Sequence, residues 1–398
     1  MARTASPEPP ARADCGPAAP SPCDDEPPLR WLRRARLLPA DSLGAGRRAA
    51  VLALLAWLPI ALWAAATGRL ADDSGESLLR HYGVHVRCLV VIPLLVLGEQ
   101  MLHDTARRIA ACLAATAGAE PASRVRFDAV GAGVLRLRDA SLPWVLMIGA
   151  AIGWAIADRP QVHADALVWA MEGDGALGFG GWWFAYIARP ILLALLLAWL
   201  WRIVLLCEWL RRIGRIDLPL VPTHPDRAGG IAIVSKLPGA FAPVSVALSA
   251  IVASRWAHEI LHHGANLDAY KPTTAVLVVV WSAMLLLPLL ALAPALARAR
   301  ARSLAAYSAL VGRHGRLVHR RWIEGREVGD EAILDAPEIG PVADAAVLYD
   351  AVKQMRRVPI GKASIAMIIV PLAIPLVLVA ALRIPVKELL LDLVKVLV

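Results

Sequence analysis

The sequence contains one short pattern that is typical of zinc hydrolases, H-E-x-x-H, at His258, Glu259 and His262. On a helix this spacing places two imidazoles on one face as metal ligands, with Glu259 available as a general base. No third ligand is evident, because Asp268 is close only in sequence and the hydropathy pattern places Asp226 on the opposite side of a membrane. We therefore expect neither a bound metal nor another cofactor. An intramembrane zinc protease stays as an alternative function.

Glu99 is the one acidic residue inside a predicted membrane span. A charged side chain is costly in lipid, so its presence there is a hypothesis of function. Arg202 lies at a similar depth in another span, and an ion pair between Glu99 and Arg202 would neutralise both charges. His103 follows Glu99 by about one helical turn, so the group can instead form a proton or ion site.

Arg87, Arg189 and Arg255 lie in or at the edge of spans near the outer side, with no intramembrane acid beside them. Six of the ten histidines are on the same side, at positions 81, 85, 163, 258, 262 and 263. One interpretation is an electropositive vestibule that suits anion passage or pH sensing. The other is a set of snorkelling arginines and ordinary interfacial histidines. In that case the nearby acids would be Asp72, Asp73, Asp158 and Glu259.

The most specific string in the chain is L-P-L-V-P-T-H-P-D-R-A-G-G, at residues 218–230. Its prolines, its aspartate and its paired glycines predict a compact loop between the fourth and fifth spans. The loop either braces that junction or binds an anion or a lipid head group. The residues of interest in it are His224, Asp226, Arg227, Gly229 and Gly230.

The T-H-P-D-R-A-G-G string resembles the hallmark of a family of uncharacterised bacterial multi-pass inner-membrane proteins. Residues 93–99, 181–183 with 199–202, 355–359 and the Leu-rich C-terminal tail are similar to that family, so the resemblance covers most of 84–398. It implies a multi-pass membrane protein and no particular activity. The family does not share the H-E-x-x-H pattern, which weakens the zinc protease interpretation.

Composition excludes an ordinary soluble protein. Of the 398 residues, 58% are hydrophobic and 19% are charged, and the mean hydropathy is +0.56. Apolar runs long enough to cross about 30 Å of hydrocarbon recur along the chain and predict an all-α polytopic membrane protein with seven transmembrane helices. The predicted spans are 49–67, 84–102, 140–157, 182–206, 237–257, 273–297 and 363–382.

The distribution of Lys and Arg predicts the orientation of these spans. With the N-terminus inside, cytoplasmic segments contain 31 of the 42 basic residues, external segments contain 7 and the spans contain 4. By the positive-inside rule, this bias predicts a bacterial inner-membrane protein with a cytoplasmic N-terminus and a periplasmic C-terminus. The net charge of +9 then reflects topology and contact with anionic lipids of the cytoplasmic leaflet, and no nucleic acid is expected as a partner.

The chain divides into five predicted regions. Residues 1–48 form a proline-rich, disordered and basic cytoplasmic segment, and residues 49–297 contain the first six transmembrane helices. A cytoplasmic helical region at 298–362 precedes the seventh transmembrane helix at 363–382, and an amphipathic interfacial helix follows at 383–398. The apolar surface of the last two non-membrane regions predicts a homo-oligomer. The five cysteines have no regular spacing, which predicts free thiols.

Every predicted span also contains a proline, which opens the helical hydrogen-bond ladder and can produce kinks or gates. Together these features predict an oligomeric channel or transporter-like protein for a small ion or solute, with an anion- or pH-linked mechanism as the specific hypothesis. A non-conducting structural or signalling membrane protein is a further alternative.

Overall fold

The structure is a computed structural model that describes residues 26–27, 30, 44–71, 77–157, 168–172, 176–263, 266–326, 328 and 340–381. Within these ranges the chain is helical and has no β-strand. Seven helices are long and apolar enough to cross a membrane, which confirms an all-α polytopic membrane protein.

In chain order the spans and the other long helices are α1 (Ala45–Ala66), α2 (Tyr82–Gly118), α3 (Pro121–Ala157), α4 (Phe179–Ile213), α5 (Ala232–Leu261), α6 (Asp268–Leu290), α7 (Ala293–Val318), α8 (Gly340–Lys353) and α9 (Lys362–Ala380). The seven candidate spans are α1 to α6 and α9. The helix of α5 continues to His263.

Side-chain contacts show which helix ends lie together. Arg48, near the start of α1, contacts Glu99 near the middle of α2, and Trp57, further along α1, contacts His85 near the start of α2. These two helices therefore run in opposite directions. The starts of α5 and α9 are joined by a hydrogen bond from the Ser364 hydroxyl to the Ser235 carbonyl. We call the side on which α1 begins the N-terminal side. The side on which α2 begins is the opposite side.

Helix α5 forms the centre of the bundle. In its most apolar window 61% of the residues are buried, against 17% for α3. The buried hydroxyls of Ser245 and Ser249 each donate to a carbonyl one turn earlier at 2.9 Å, and the Trp281 indole of α6 donates to Ser245 Oγ at 2.8 Å. The polar groups of the central helix are therefore satisfied by hydrogen bonds within the bundle.

Gly98 allows α2, α4 and α5 to approach closely. A Cβ atom at this position would lie 3.0 Å from both Trp199 and Pro243. The Trp199 indole N–H donates to the Leu95 carbonyl at 3.0 Å, which fixes α4 against α2 at the same level. Any larger residue at 98 would have to separate these three helices.

Two spans contain π-helical stretches, Val86–Val91 in α2 and Phe184–Ala188 in α4. Pro93 follows the first stretch and Pro190 follows the second. Because proline has no N–H, the carbonyl four residues earlier loses its helical partner, and in both spans that carbonyl lies inside the π-helical stretch. Such stretches are frequent at functional sites.

The observed helices differ in their bounds from the predicted spans, and two of these differences involve a break between adjacent helices. The predicted sixth span is 273–297, whereas α6 ends at Leu290 and α7 begins at Ala293. Pro294 explains the break, since proline fits the first turn of a new helix. The predicted third span, 140–157, corresponds to Ser141–Ala157, which a separate helix, Pro121–Asp139, precedes within α3.

Most of the predicted N-terminal segment and the predicted interfacial helix at 383–398 lie outside the described residues. The region 298–362 contains most of α7 and the whole of α8. Among the residues that the structure describes, Cys88, Cys112 and Cys207 form no disulfide.

Candidate functional site

An ion-pair network around Glu99 and Arg202 is the first candidate site among the described residues. Arg202 Nη2 donates to Glu99 Oε1 at 2.9 Å, and Arg48 Nη1 donates to Glu99 Oε2 at 2.8 Å. The side chains of Glu99 and Arg202 are each only 6% exposed. Both oxygens of the Glu99 carboxylate are therefore bonded to guanidinium groups in a buried environment.

Glu26, from the N-terminal segment, is the fourth member of this network. Arg202 donates from Nε and Nη2 to its two carboxylate oxygens, both at 2.7 Å, in a bidentate arrangement. Glu26 is 3% exposed and lies 176 residues from Arg202 in the sequence. Two carboxylates and two guanidiniums thus form a cluster with no net charge, which lowers the cost of burying each member.

Neighbouring groups hold this cluster in place. The Arg202 guanidinium lies 5.4 Å from the centroid of the Trp199 ring, and His103, one turn beyond Glu99, is also buried. A cation that approached Glu99 would have to displace a guanidinium. The geometry therefore favours an ion-pair clamp that joins α1, α2 and α4 over an open ion site.

The predicted arginine group on the opposite side is also brought together. Arg189 of α4 and Arg255 of α5 lie close enough to the half-buried Arg87 of α2 for their positive charges to act on it. Arg255 forms an ion pair with Glu259 at 2.9 Å, whereas no carboxylate among the described residues pairs with Arg87. Arg87 lies in the π-helical stretch of α2, and Arg189 directly follows that of α4. The Arg87 guanidinium thus lies in a positive electrostatic field between three spans.

The histidines near this arginine group have defined partners. The Trp57 indole donates to His85 Nδ1 at 3.0 Å, which makes that nitrogen an acceptor. His85 Nε2, 3.0 Å from the Leu78 carbonyl, must then carry the proton, so the imidazole is neutral. His81 is buried, with its ring 5.5 Å from that of His258. His85 therefore has a structural role, because it joins α2 to Trp57 of α1.

The H-E-x-x-H segment is engaged in local contacts. Glu259 accepts hydrogen bonds from Arg255 and from the Tyr270 hydroxyl, and Tyr270 stacks on Trp256 at 4.8 Å. The side chain of His262 lies outside the described residues. Within the part of the chain that the structure describes, no three His, Cys, Asp or Glu side chains form a group that could hold a metal.

Asp226 organises the loop at 218–230 through backbone hydrogen bonds. Its Oδ1 accepts from the N–H groups of Ala228 at 2.8 Å and Gly230 at 3.1 Å, and its Oδ2 accepts from Ala232 at 3.0 Å. His224 Nδ1 lies 2.8 Å from Oδ1. Partial burial by itself would raise the pKa of Asp226, but the three backbone donors and His224 outweigh it and hold this pKa below its usual value. Asp226 thus ties the loop to the first N–H group of the 3-10 helix that starts α5.

The glycines complete this turn. Gly229 and Gly230 have φ angles of 68° and 95°, a region that favours glycine. A Cβ at Gly229 would lie 3.0 Å from Leu220 Cβ and 3.2 Å from Met355 Cε. This geometry favours a bracing role for Asp226 and the glycines, while the side chains of His224 and Arg227 are exposed.

Sequence reasoning brought Glu99 and Arg202 together but missed Arg48 and Glu26. Arg48 is the fourth residue of α1. Its position at the start of a span is the one sequence feature that could have indicated a contact with Glu99. Nothing in the proline-rich sequence around Glu26 indicates where that segment packs.

No protein-family model, curated protein or solved structure matches this chain. The resemblance of the T-H-P-D-R-A-G-G loop to an uncharacterised membrane protein family therefore stays a prediction.

Proposed function

We propose that this chain is a channel or transporter-like membrane protein for a small inorganic anion. The observation that carries the proposal is the half-buried Arg87, which has two further arginines nearby, Arg189 and Arg255, and forms no ion pair of its own with a described carboxylate. Burying a charge in a membrane protein requires a counter-charge, and an anion from solution can supply it. An anion bound there would also relieve the repulsion among the three guanidiniums.

The helix geometry at this site supports the proposal. Arg87 and Arg189 both lie at π-helical stretches that precede a proline, where the backbone departs from the regular helical ladder. Discontinuous helices are a recurrent way to place ion sites within membrane proteins. The neutral cluster around Glu99 joins α2 and α4, two of the three spans around Arg87, so we assign it a structural role that fixes these two helices.

We place the N-terminal side in the cytoplasm of a bacterial inner membrane, because the basic residues concentrate there. The proposed assembly is a homo-oligomer. Apolar side chains outside the spans support it, since Trp322 and Val347 are 61% and 67% exposed.

The test is chloride efflux from liposomes that contain the purified full-length chain. Arg87→Gln removes the central charge and should lower the efflux rate at least about tenfold, since a hydrogen bond to a charged group contributes about 1.5–3 kcal/mol. Arg80→Gln is the matched control, because Arg80 is an exposed arginine of the same side that lies outside the Arg87 group. It should leave the rate unchanged. Efflux equal to that of empty liposomes, or equal efflux with Arg87→Gln and the unmodified chain, would refute the proposal.

A further inference from the structure

A group of exposed cations lies on the N-terminal side, around the starts of α5 and α9. We call it the basic patch. Its members come from the 218–230 loop, from the first turns of α5 and α9, and from the connection between α8 and α9. They are Arg227, Lys236, Arg356, Arg357 and Lys362.

Backbone contacts fix these segments together. The Arg356 N–H donates to the Arg227 carbonyl at 2.8 Å, which joins the loop to the α8–α9 connection. The Ser364 hydroxyl donates to the Ser235 carbonyl at 2.9 Å, which joins α9 to α5 beside Lys236 and Lys362. The basic patch is therefore one surface that the fold assembles from distant parts of the sequence.

The cations of the patch have no counter-charge among the residues that the structure describes. None of the five makes an ion pair with another residue in the part of the chain that the structure describes. The nearest acid in the sequence, Asp226, directs its carboxylate to backbone N–H groups of its own loop. The patch is thus a concentration of positive charge that is available to an external anion.

The backbone at Arg227 adds an independent observation. Its φ angle is 57°, in the left-handed region, and it is the one non-glycine residue with positive φ among those described. A side chain with a Cβ is disfavoured there by about 1–2 kcal/mol, whereas glycine is not. Local strain of this kind recurs at ligand-binding sites. The conformation directs the Arg227 side chain outward while its carbonyl remains bonded to Arg356.

The position of the basic patch relative to the membrane indicates which ligand it binds. Lys362 is the first residue of α9, and Lys236 lies in the first turns of α5, so both lie where spans enter the membrane. The phosphate groups of phospholipids occupy this interfacial layer, and basic pockets between membrane helices bind anionic head groups. A Cβ at Gly361 would lie 3.2 Å from Arg356 Nη1, so the Arg356 guanidinium extends over the start of α9.

We propose that the basic patch binds the phosphate head group of an anionic phospholipid in the leaflet on the N-terminal side. The Arg227 and Arg356 guanidiniums receive the phosphate, and Arg357 and the two lysines supply the surrounding positive charge. The acyl chains then lie against α5 and α9. This site is separate from the Arg87 site and does not depend on anion transport.

The experiment is native mass spectrometry of the full-length chain in detergent, with phosphatidylglycerol or phosphatidylcholine added at equal concentration. Phosphatidylglycerol adducts should exceed those of phosphatidylcholine. Arg227→Gln with Arg356→Gln should reduce the phosphatidylglycerol adducts at least about tenfold. Arg357→Gln with Lys362→Gln is a second double variant, which leaves the strained backbone at Arg227 unchanged. It should also reduce the phosphatidylglycerol adducts.

Arg313→Gln with Arg316→Gln is the matched control, because it removes two exposed charges from α7 and leaves the basic patch intact. It should leave the adducts unchanged. An equal reduction in this control would mean that net charge alone attracts the lipid, and it would overturn the proposal. Displacement of the lipid by inorganic phosphate would assign the patch to a soluble phosphate instead, and equal binding of the two lipids would also overturn it.

Discussion

Glu99 and Arg202 are bonded at 2.9 Å, and each of them has a second partner of opposite charge. Arg48 completes the hydrogen bonding of Glu99, and Glu26 completes that of Arg202. The four side chains alternate in sign along the network. Removal of any one member therefore leaves a buried charge without its counter-charge.

Glu99→Gln should destabilise the protein by about 3 kcal/mol, because it leaves Arg48 and Arg202 with an excess positive charge in a buried site. Adding Arg48→Gln should restore at least about 1 kcal/mol, since the cluster then returns to zero net charge. Thermal unfolding in detergent measures both changes. Asp128→Asn, which breaks an exposed ion pair with Arg124, is the control and should cost less than about 1 kcal/mol. Purely additive effects of the two substitutions would contradict the coupling.

Glu26→Gln should lower the unfolding temperature of the full chain although Glu26 lies outside the spans in the sequence. The Glu26 side chain, which forms the bidentate contact with Arg202, is only 3% exposed. Its substitution should therefore cost as much stability as breaking a buried ion pair, and more than breaking a surface one. The same thermal assay applies, with Asp128→Asn again as reference. An unfolding temperature equal to that of the unmodified chain would place Glu26 outside the stabilising network.

Hydropathy predicts the spans, because a helix that crosses lipid needs a long apolar run. The Glu99–Arg202 pair is predictable because a charge within a span is costly unless it is paired. The contact of Glu26 is not predictable in this way, since it depends on how a proline-rich segment folds back over 176 residues. The end of α6 at Leu290 was missed for a different reason. The apolar pattern continues through residue 297, and only Pro294 marks the start of a new helix.

Asp226 gives a prediction for pH dependence. The pKa of its carboxyl is held below the usual value by the backbone N–H groups and by His224, in opposition to its partial burial. A group with a depressed pKa in the folded state stabilises the fold above its unfolded pKa, and this stability is lost as the pH falls through the folded pKa. The loop should therefore lose protection below about pH 4.

Hydrogen exchange of the Ala228, Gly230 and Ala232 amides between about pH 5 and pH 3 measures this loss after correction for intrinsic exchange rates. Asp226→Ala should expose these amides at all pH values. Asp217→Asn is the control, because Asp217 forms an exposed ion pair with Arg302 that contributes little. Protection in Asp226→Ala that matches the unmodified chain would show that another group holds the loop.

We expect no zinc hydrolase activity from the H-E-x-x-H segment. Glu259 accepts hydrogen bonds from Arg255 and Tyr270, so its carboxylate is not available as a general base. Elemental analysis of the purified chain should find far less than stoichiometric zinc. Tyr270→Phe should lower stability without any effect on metal content. Near-stoichiometric zinc that disappears in His258→Ala would reverse this conclusion and support the hydrolase.

The final prediction concerns assembly. Val347 and Leu348 of α8 are exposed, as are Trp322 and Ile323 beyond α7, although these residues lie outside the seven spans. Apolar side chains in this position are commonly covered by a second copy of the chain, because closed symmetric oligomers bury such surface on every subunit. Mass photometry after micelle correction should therefore give a multiple of 42.6 kDa.

Val347→Glu should reduce that species, because it places a charge in the proposed interface. Gln354→Glu adds the same charge at an exposed position just beyond α8 and should leave the assembly intact. A single 42.6 kDa species in both detergent and lipid nanodiscs would exclude the homo-oligomer, and any anion pathway would then have to lie within one chain between α2, α4 and α5.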